Sequence, residues 1–360
     1  MEIGEMLMKR SFGLDIIRAF AVLFVLCTHF FLNTEFYKVP FTGGSMLIQA
    51  FLRWMFIICV PLFMMLTGYL QVKKEAGSNY YENLTSVLGI YILYSVLAIL
   101  VRVLYFKEQE TLIVWLSDII GFRANGYSWY INMYIGLYLL IPFLNIVFNN
   151  LKNQREHRRL LFTMIFITAL PGFFNNIPGY INIFRFPDWW MTLYPITYYF
   201  LGAYIREYKI KINKTVAGIL LIATILVETI ISAFFSRGRN FYNAVGDYGS
   251  ILILIQTALF FLIFYDIETD KKHIKTVFSV ISIISLDIYL CSYISDRVIY
   301  DYVINNIYVS QQQIVYYFIP IVMASFVIAG IVGLIRYKIN DIIFIKDKAR
   351  TAKFDNSIKL

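Results

Sequence analysis

Placing a charged side chain at the centre of a bilayer costs about 2.5–3.5 kcal/mol on insertion scales, so the long stretches from which this sequence nearly excludes charge decide its class. Such runs, each close to the roughly 20 mostly apolar residues that a spanning helix needs, occupy 12–33, 45–72, 84–106, 129–148, 160–177, 190–206, 215–235, 248–267, 277–298 and 314–336. The stretch 111–121 is too short to cross and reads as a helix lying in the interface. Pro171, Gly172 and Pro195 interrupt two of the runs. Charged residues make up 15% of the chain against about 25% in an average soluble domain, too few to cover a water-facing surface. The expected fold is all-α: a polytopic membrane helical bundle of about ten transmembrane helices, forming one domain over 1–345, with a basic cytoplasmic tail at 346–360. Lys9 and Arg10 precede the first run, but no small-residue cleavage site follows and Arg18 interrupts the apolar core. The expectation is an uncleaved first span.

The formal net charge of +9 would raise the question of nucleic acid in a soluble protein. Here the basic residues alternate with the apolar runs, as loops beside anionic lipid headgroups do, and no nucleic-acid partner is expected. With the N-terminus inside, 22 of the 32 Lys and Arg fall in inner segments, among them Lys152, Arg155, Arg158 and Arg159, the group from Arg206 to Lys214, and the tail from Arg336 to Lys359. Seven fall outside: Lys38, Lys107, Arg123, Arg185, Arg237, Arg239 and Arg297. The positive-inside rule then puts both termini in the cytoplasm. Cys27, Cys59 and Cys291 lie in apolar runs without metal-ligand spacing, so neither a disulfide framework nor a metal site is expected.

Ionisable residues inside spans are the first place to look for function. The first run holds Arg18 and His29, 11 residues apart. At about 100° per residue they share one helix face, about 16 Å apart along it. That face presents a fixed cation low and a titratable imidazole high. Two readings are open on spacing alone: Arg18 paired with Asp15 and His29 a satisfied core histidine, or both facing a reaction path.

The run GLDIIRAFAVLFVLCTHF resembles the opening signature of the membrane acyltransferase 3 family, an Arg and a His separated by ten residues, matched here by Arg18 and His29. Further stretches are similar in the expected order: VPLFMMLTGYL (60–70), WYINMYIGLYLLIPFLN (129–145), YYFLGAYI (198–205) and, more loosely, SLDIYLCSYI (285–294). The resemblance implies a multi-pass protein of the bacterial plasma membrane that moves an acyl group, most often acetyl, from cytoplasmic acyl-CoA to a hydroxyl of an envelope polysaccharide or lipid-linked sugar. Acyl-CoA would be a co-substrate, with no permanently bound cofactor. His29 would take the acceptor proton or carry the acyl group; Arg18 would hold the phosphate or thioester part of the donor, or orient a neighbouring carboxylate.

Two positions depart from the family pattern. Many members carry a basic pair after the Gly-aromatic motif that helps to hold CoA; the equivalent YYENLTSVLG has no base. Lys73 and Lys74 nearby, and the cluster Arg155, Arg158 and Arg159, are the candidate donor contacts. A second family His is replaced by Ser292, with Asp287 earlier in the same run. Arg53, Glu228 and Asp287 lie about 11–16 Å deep in their spans and are expected either to form a charge-paired cluster near His29 or to leave Arg53 paired structurally with one carboxylate while the other faces a water-filled groove. With Asp15 and Trp129 they complete the candidate substrate contacts. Trp129 also reads as an interfacial aromatic. Loss of the second His and the basic pair keeps an alternative open, a transporter of an envelope glycan or acylated intermediate.

Overall fold

The computed structural model describes residues 10–177 and 186–357, with 341–357 as helical backbone. Helices follow one another throughout: α1 (Phe12–Asn33), α2 (Gly43–Phe56), α3 (Cys59–Gln71), α4 (Ser78–Leu104), α5 (Leu112–Ile120), α6 (Trp129–Asn149), α7 (Gln154–Met164), α8 (Leu170–Phe174), α9 (Tyr194–Tyr208), α10 (Lys214–Phe235), α11 (Ile251–Phe264), α12 (Lys272–Ile283), α13 (Ser285–Asn306), α14 (Gln311–Ile314) and α15 (Phe318–Ser357). The short α5 lies where an interfacial helix was expected, its N-terminus capped by the Thr111 side chain.

All ten apolar runs contain helix, but among the described residues six segments are long and apolar enough to cross a bilayer, or seven when α12 and α13, bent by 65°, form one span. The remaining runs are shortened for visible reasons. α7 passes through a π turn at Ile165–Ala169 into α8, where Pro171 lacks the N–H a regular helix needs. Pro195 starts α9 instead of interrupting it. α11 has only 14 residues.

α1 is apolar around most of its circumference, and a helix of that kind is stable only when surrounded. It packs against α2, α3, α11, α12, α13 and α15. The periphery is the inverse: Ile92 and Leu100 on α4, and Ile219 and Ile230 on α10, turn apolar side chains outward, as lipid-facing surfaces do. α3 and α9 cross most closely, because glycines meet backbone. A Cβ at Gly68 would overlap the Tyr199 carbonyl, and one at Gly202 the Met65 carbonyl.

Pairs at the two ends show which helix termini lie together. At the Arg10 end, Arg10 reaches Ser282, Lys73 reaches Glu207, and Lys214 reaches Asp266. At the Asn33 end, the Glu35 N–H donates to Gln311 and the Phe41 N–H to the Arg239 carbonyl. Of the basic residues used for orientation, Lys9, Arg185 and Lys359 lie outside the described residues, as do the side chains of Lys346, Lys348, Arg350 and Lys353. Arg336, counted with the tail, is instead drawn into the bundle by Asp287, its side chain 15% exposed. The backbone of 346–357 continues α15, and 358–360 lie outside the described residues.

Candidate functional site

Arg18 does not pair with Asp15. The Asp15 carboxylate is taken by Arg10 at 2.6 Å and by the Ser279 hydroxyl at 2.6 Å. Among the described residues Arg18 has no carboxylate within ion-pair distance and no hydrogen-bond partner. It borders a cavity of about 170 Å³ enclosed by α1, α3, α4, α6 and α13, whose walls are otherwise mostly apolar or aromatic: Val25, Val60, Phe63, Leu66, Tyr130 and Tyr289 among them. A cation that has no partner among the described residues and borders a cavity in an apolar bundle is a candidate contact for an anionic or strongly polar group.

A second cavity of about 470 Å³ lies toward the Arg10 end, lined by Gln71, Lys74, Glu75, Gly77, Tyr80, Asn83 and Tyr138. Val87 and Tyr134 line both cavities. The helical register explains the continuity: Thr67 and Gln71, Asn83 and Val87, and Tyr134 and Tyr138 are each one turn apart. The two chambers thus adjoin across Val87 and Tyr134, and together they mark a candidate passage, polar at its Lys74 end and mostly apolar at its inner end, where Arg18 is in the wall.

That passage ends at Val25, one turn short of His29 on the same face of α1. Tyr130 and Tyr289, edge to face with ring centroids 5.7 Å apart, stand at this end. The Tyr289 hydroxyl donates to the Tyr127 carbonyl, and the Tyr127 ring lies over the imidazole of His29, centroids 3.6 Å apart. His29 is itself buried, 6% exposed. Its Nδ1 is 3.4 Å from Asp296 Oδ2, within ion-pair distance but not hydrogen-bonded, and that nitrogen has no hydrogen-bond partner among the described residues.

Asp296 belongs to α13 and is fixed from two other sides. The Ser325 hydroxyl on α15 donates to Oδ1 at 2.5 Å, and the Tyr127 hydroxyl donates to Oδ2 at 2.9 Å. Asn33 in turn donates to the Tyr127 oxygen at 2.7 Å. The neighbouring Arg297 turns away to Glu108 at 3.0 Å. Partial burial alone would raise the Glu108 carboxyl, but Arg102 and Arg297 outweigh it and hold the carboxyl below its ordinary range. Arg297 is thus committed elsewhere.

The other sequence candidates are dispersed. Asp287 is gripped by Arg336, with Nη2 to Oδ2 at 2.8 Å, and accepts from Tyr94 at 3.1 Å. It stands nine residues before Asp296, about 13 Å along α13. Arg53 donates to Tyr37 at 3.0 Å and to Asp247 at 3.2 Å, and lies over Trp54. Glu228 is fully buried, with neither carboxyl oxygen hydrogen-bonded among the described residues. Trp129 is 42% exposed and stacks on Tyr248. None of these four lines the passage. Lys74 does, whereas Lys73 is held by Glu207 at 2.8 Å. Arg155, Arg158 and Arg159 are exposed on α7, Arg158 bonded to Tyr204 and Gln154. His157, within that cluster, is spent on the Asn153 and Phe148 carbonyls and the Tyr208 hydroxyl.

Asp296, Tyr127, Asn33 and Ser325 were not singled out from the sequence. A signal existed for the first: Asp296 lies one turn beyond Ser292 in the loosely matched run, on the same helix face. It sits close to the expected end of the span at 298, where a carboxylate passes for a loop residue.

The acyltransferase domain family model matches residues 11–334. No curated protein and no solved structure matches the chain. The matched segment contains Arg18, the passage, His29 and its surrounding side chains in full, and with the membrane-length apolar helices it identifies this chain as a member of the acyltransferase 3 family of membrane acyltransferases.

Proposed function

We propose that the protein is an O-acyltransferase of the bacterial plasma membrane, using cytoplasmic acyl-CoA, with acetyl the favoured group, to modify a hydroxyl of an envelope polysaccharide or lipid-linked sugar. One observation carries this reading: Arg18, without a partner among the described residues, borders a cavity that reaches Val25, one turn below His29, and adjoins a second cavity lined by Lys74. The positive-inside count supports a cytoplasmic mouth, where the donor would enter. Lys74 offers a charge to the donor phosphates, and Arg18 offers a planar cation to polar groups nearer the thioester.

In the reaction, the acceptor oxygen attacks the thioester carbonyl as an imidazole nitrogen of His29 takes the hydroxyl proton. The new C–O bond forms, the C–S bond breaks, and the CoA thiolate leaves and is protonated from the imidazolium. The tyrosines between the passage and His29 would have to part for the acyl carbon to reach the base. In the resting arrangement they also exclude water from the thioester.

The test is acylation per sugar in the surface glycans of a His29→Gln strain, normalised to exported glycan, with the variant shown to be in the membrane. Loss of general base help typically costs about 10²–10⁴ in rate, so acylation should fall below detection. A wild-type level per sugar with less glycan at the surface would favour a transporter instead.

A further inference from the structure

We infer that Asp296 is a positioning residue for His29: it holds the proton of the neutral imidazole on Nδ1 and leaves Nε2 bare to act as the base. The inference rests on the proposed role of His29 but is drawn from a separate set of contacts. Asp296 is 2% exposed in an apolar bundle, and a buried carboxylate needs a counter-charge or donors aimed at it. Its only ion-pair partner among the described residues is His29.

The remaining contacts hold the carboxylate on that task. Ser325 occupies Oδ1, and Tyr127 donates to Oδ2, the oxygen that faces Nδ1. Both hydroxyls donate, so the carboxylate accepts from each, and Oδ2 also lies within ion-pair distance of the imidazole. At rest the pair lies within ion-pair distance but outside hydrogen-bond geometry; a proton on Nδ1 would give this carboxylate a donor to close on, whereas a bare Nδ1 would leave two acceptors side by side. The titratable groups packed around the ring are Asp296 from α13 and Tyr127 from the loop before α6, with Tyr300 close to the carboxylate; α15 presents the neutral Ser325. Among the described residues no other carboxylate forms an ion pair with the ring. Closing the 3.4 Å between Nδ1 and Oδ2 to a direct bond requires the ring or the carboxylate to reorient, as catalytic hydrogen bonds do when they tighten on substrate binding. A carboxylate behind an imidazole fixes both its tautomer and its orientation, and stabilises the imidazolium formed when the base takes a proton.

The same contacts suit a purely structural bolt between α1, α13 and α15, so the decisive readout is the imidazole itself. ¹⁵N-histidine spectra of the purified protein in nanodiscs, with the His29 signals identified by their loss in His29→Gln, report the tautomer at a pH where the ring is neutral. The wild type should show the proton on Nδ1. Asp296→Asn removes the anionic acceptor and should shift the ring toward the Nε2–H form, while Asp296→Glu should keep the proton on Nδ1. Acyl transfer should fall on the order of 10²–10⁴-fold in kcat for the Asn variant, with the KM for acetyl-CoA little changed and activity partly restored by Glu.

If the Asn variant does not fold, Ser325→Ala keeps the carboxylate but frees it to turn, and should give a mixture of tautomers. A wild-type ring protonated on Nε2, or spectra unchanged in the Asn or Ala variant, overturns the inference. Neither result bears on whether the protein transfers acyl groups; that reading falls only if glycan acylation survives in His29→Gln.

Discussion

Arg10 holds the carboxylate of Asp15 at 2.6 Å and so takes from Arg18 the acidic side chain one turn away on its own helix. The spare charge of Arg18 is therefore a product of the chain segment that enters α1, not of α1 alone. Arg10→Gln should release Asp15 toward Arg18, three residues away on the same face. A guanidinium so engaged is less available to a donor, and the KM for acyl-CoA should rise roughly tenfold, equivalent to about 1.4 kcal/mol. Asp15→Asn in the same background should restore it. Steady-state kinetics on the two variants check this; an unchanged KM in Arg10→Gln means that the donor does not depend on Arg18 being unpaired.

Lys74 and the arginines of α7 make opposite predictions for the same ligand. Lys74 lines the mouth of the passage, and Arg155, Arg158 and Arg159 lie outside it. Lys74→Gln should weaken acyl-CoA binding several-fold, while Arg155→Gln, Arg158→Gln and Arg159→Gln together should leave it unchanged and lower only retention of the correct topology. Isothermal titration with CoA distinguishes the two groups. A loss confined to the arginines would move the donor to the surface of α7.

The helical class and the shared face of Arg18 and His29 could be read from periodicity, because 11 residues return to almost the same angle whatever surrounds the helix. Their partners could not. Asp15 looks equally available to Arg10 and Arg18 along the chain, and only the approach of Ser279 and Ser282 from α12 shows where it turns. Asp287 and Asp296 are nine residues apart on one helix, and the sequence favoured the first as the neighbour of His29. Arg336 on α15 settles the matter by neutralising Asp287. Long-range pairing between spans sets these assignments, and apolar periodicity carries no information about it. Six helices, or seven with the bent pair, are long and apolar enough to span among the described residues, fewer than the ten apolar runs, because a π turn or a 65° bend leaves the average hydropathy of a run untouched.

Two of the recognisable motifs meet in space, and what they share is a lack of side chain. Gly68 in LTGYL packs on the Tyr199 carbonyl, and Gly202 in FLGAY packs on the Met65 carbonyl. Because the obstacle in each case is backbone, a methyl group can be accommodated only by separating α3 from α9. Gly68→Ala or Gly202→Ala should each cost at least the roughly 1–3 kcal/mol typical of overpacking, and the pair should be less than additive because one displacement relieves both clashes. Thermal unfolding in detergent measures this. Wild-type stability in both single variants would show that the helices are not held at this distance.

The last prediction concerns the direction of the bundle, on which entry of the donor depends. Lys38 lies between α1 and α2 at the Asn33 end, and Lys152 between α6 and α7 at the Arg10 end, so the two must face opposite sides of the membrane. The basic residues are concentrated at the Lys152 end, and a cation is far more readily retained inside than translocated. Cys27, Cys59 and Cys291 are all buried, so they can be replaced by Ala or Ser to give a silent background. In that background a cysteine at Lys38 should react with an impermeant thiol reagent on intact cells, and one at Lys152 only after the membrane is opened. The mouth lined by Lys74 shares the Lys152 end, since Lys73 beside it bonds Asn149 at the close of α6. Labelling of Lys152→Cys from outside would therefore place that mouth away from cytoplasmic acyl-CoA, and the path from Lys74 through Arg18 to His29 would have to run in the reverse direction.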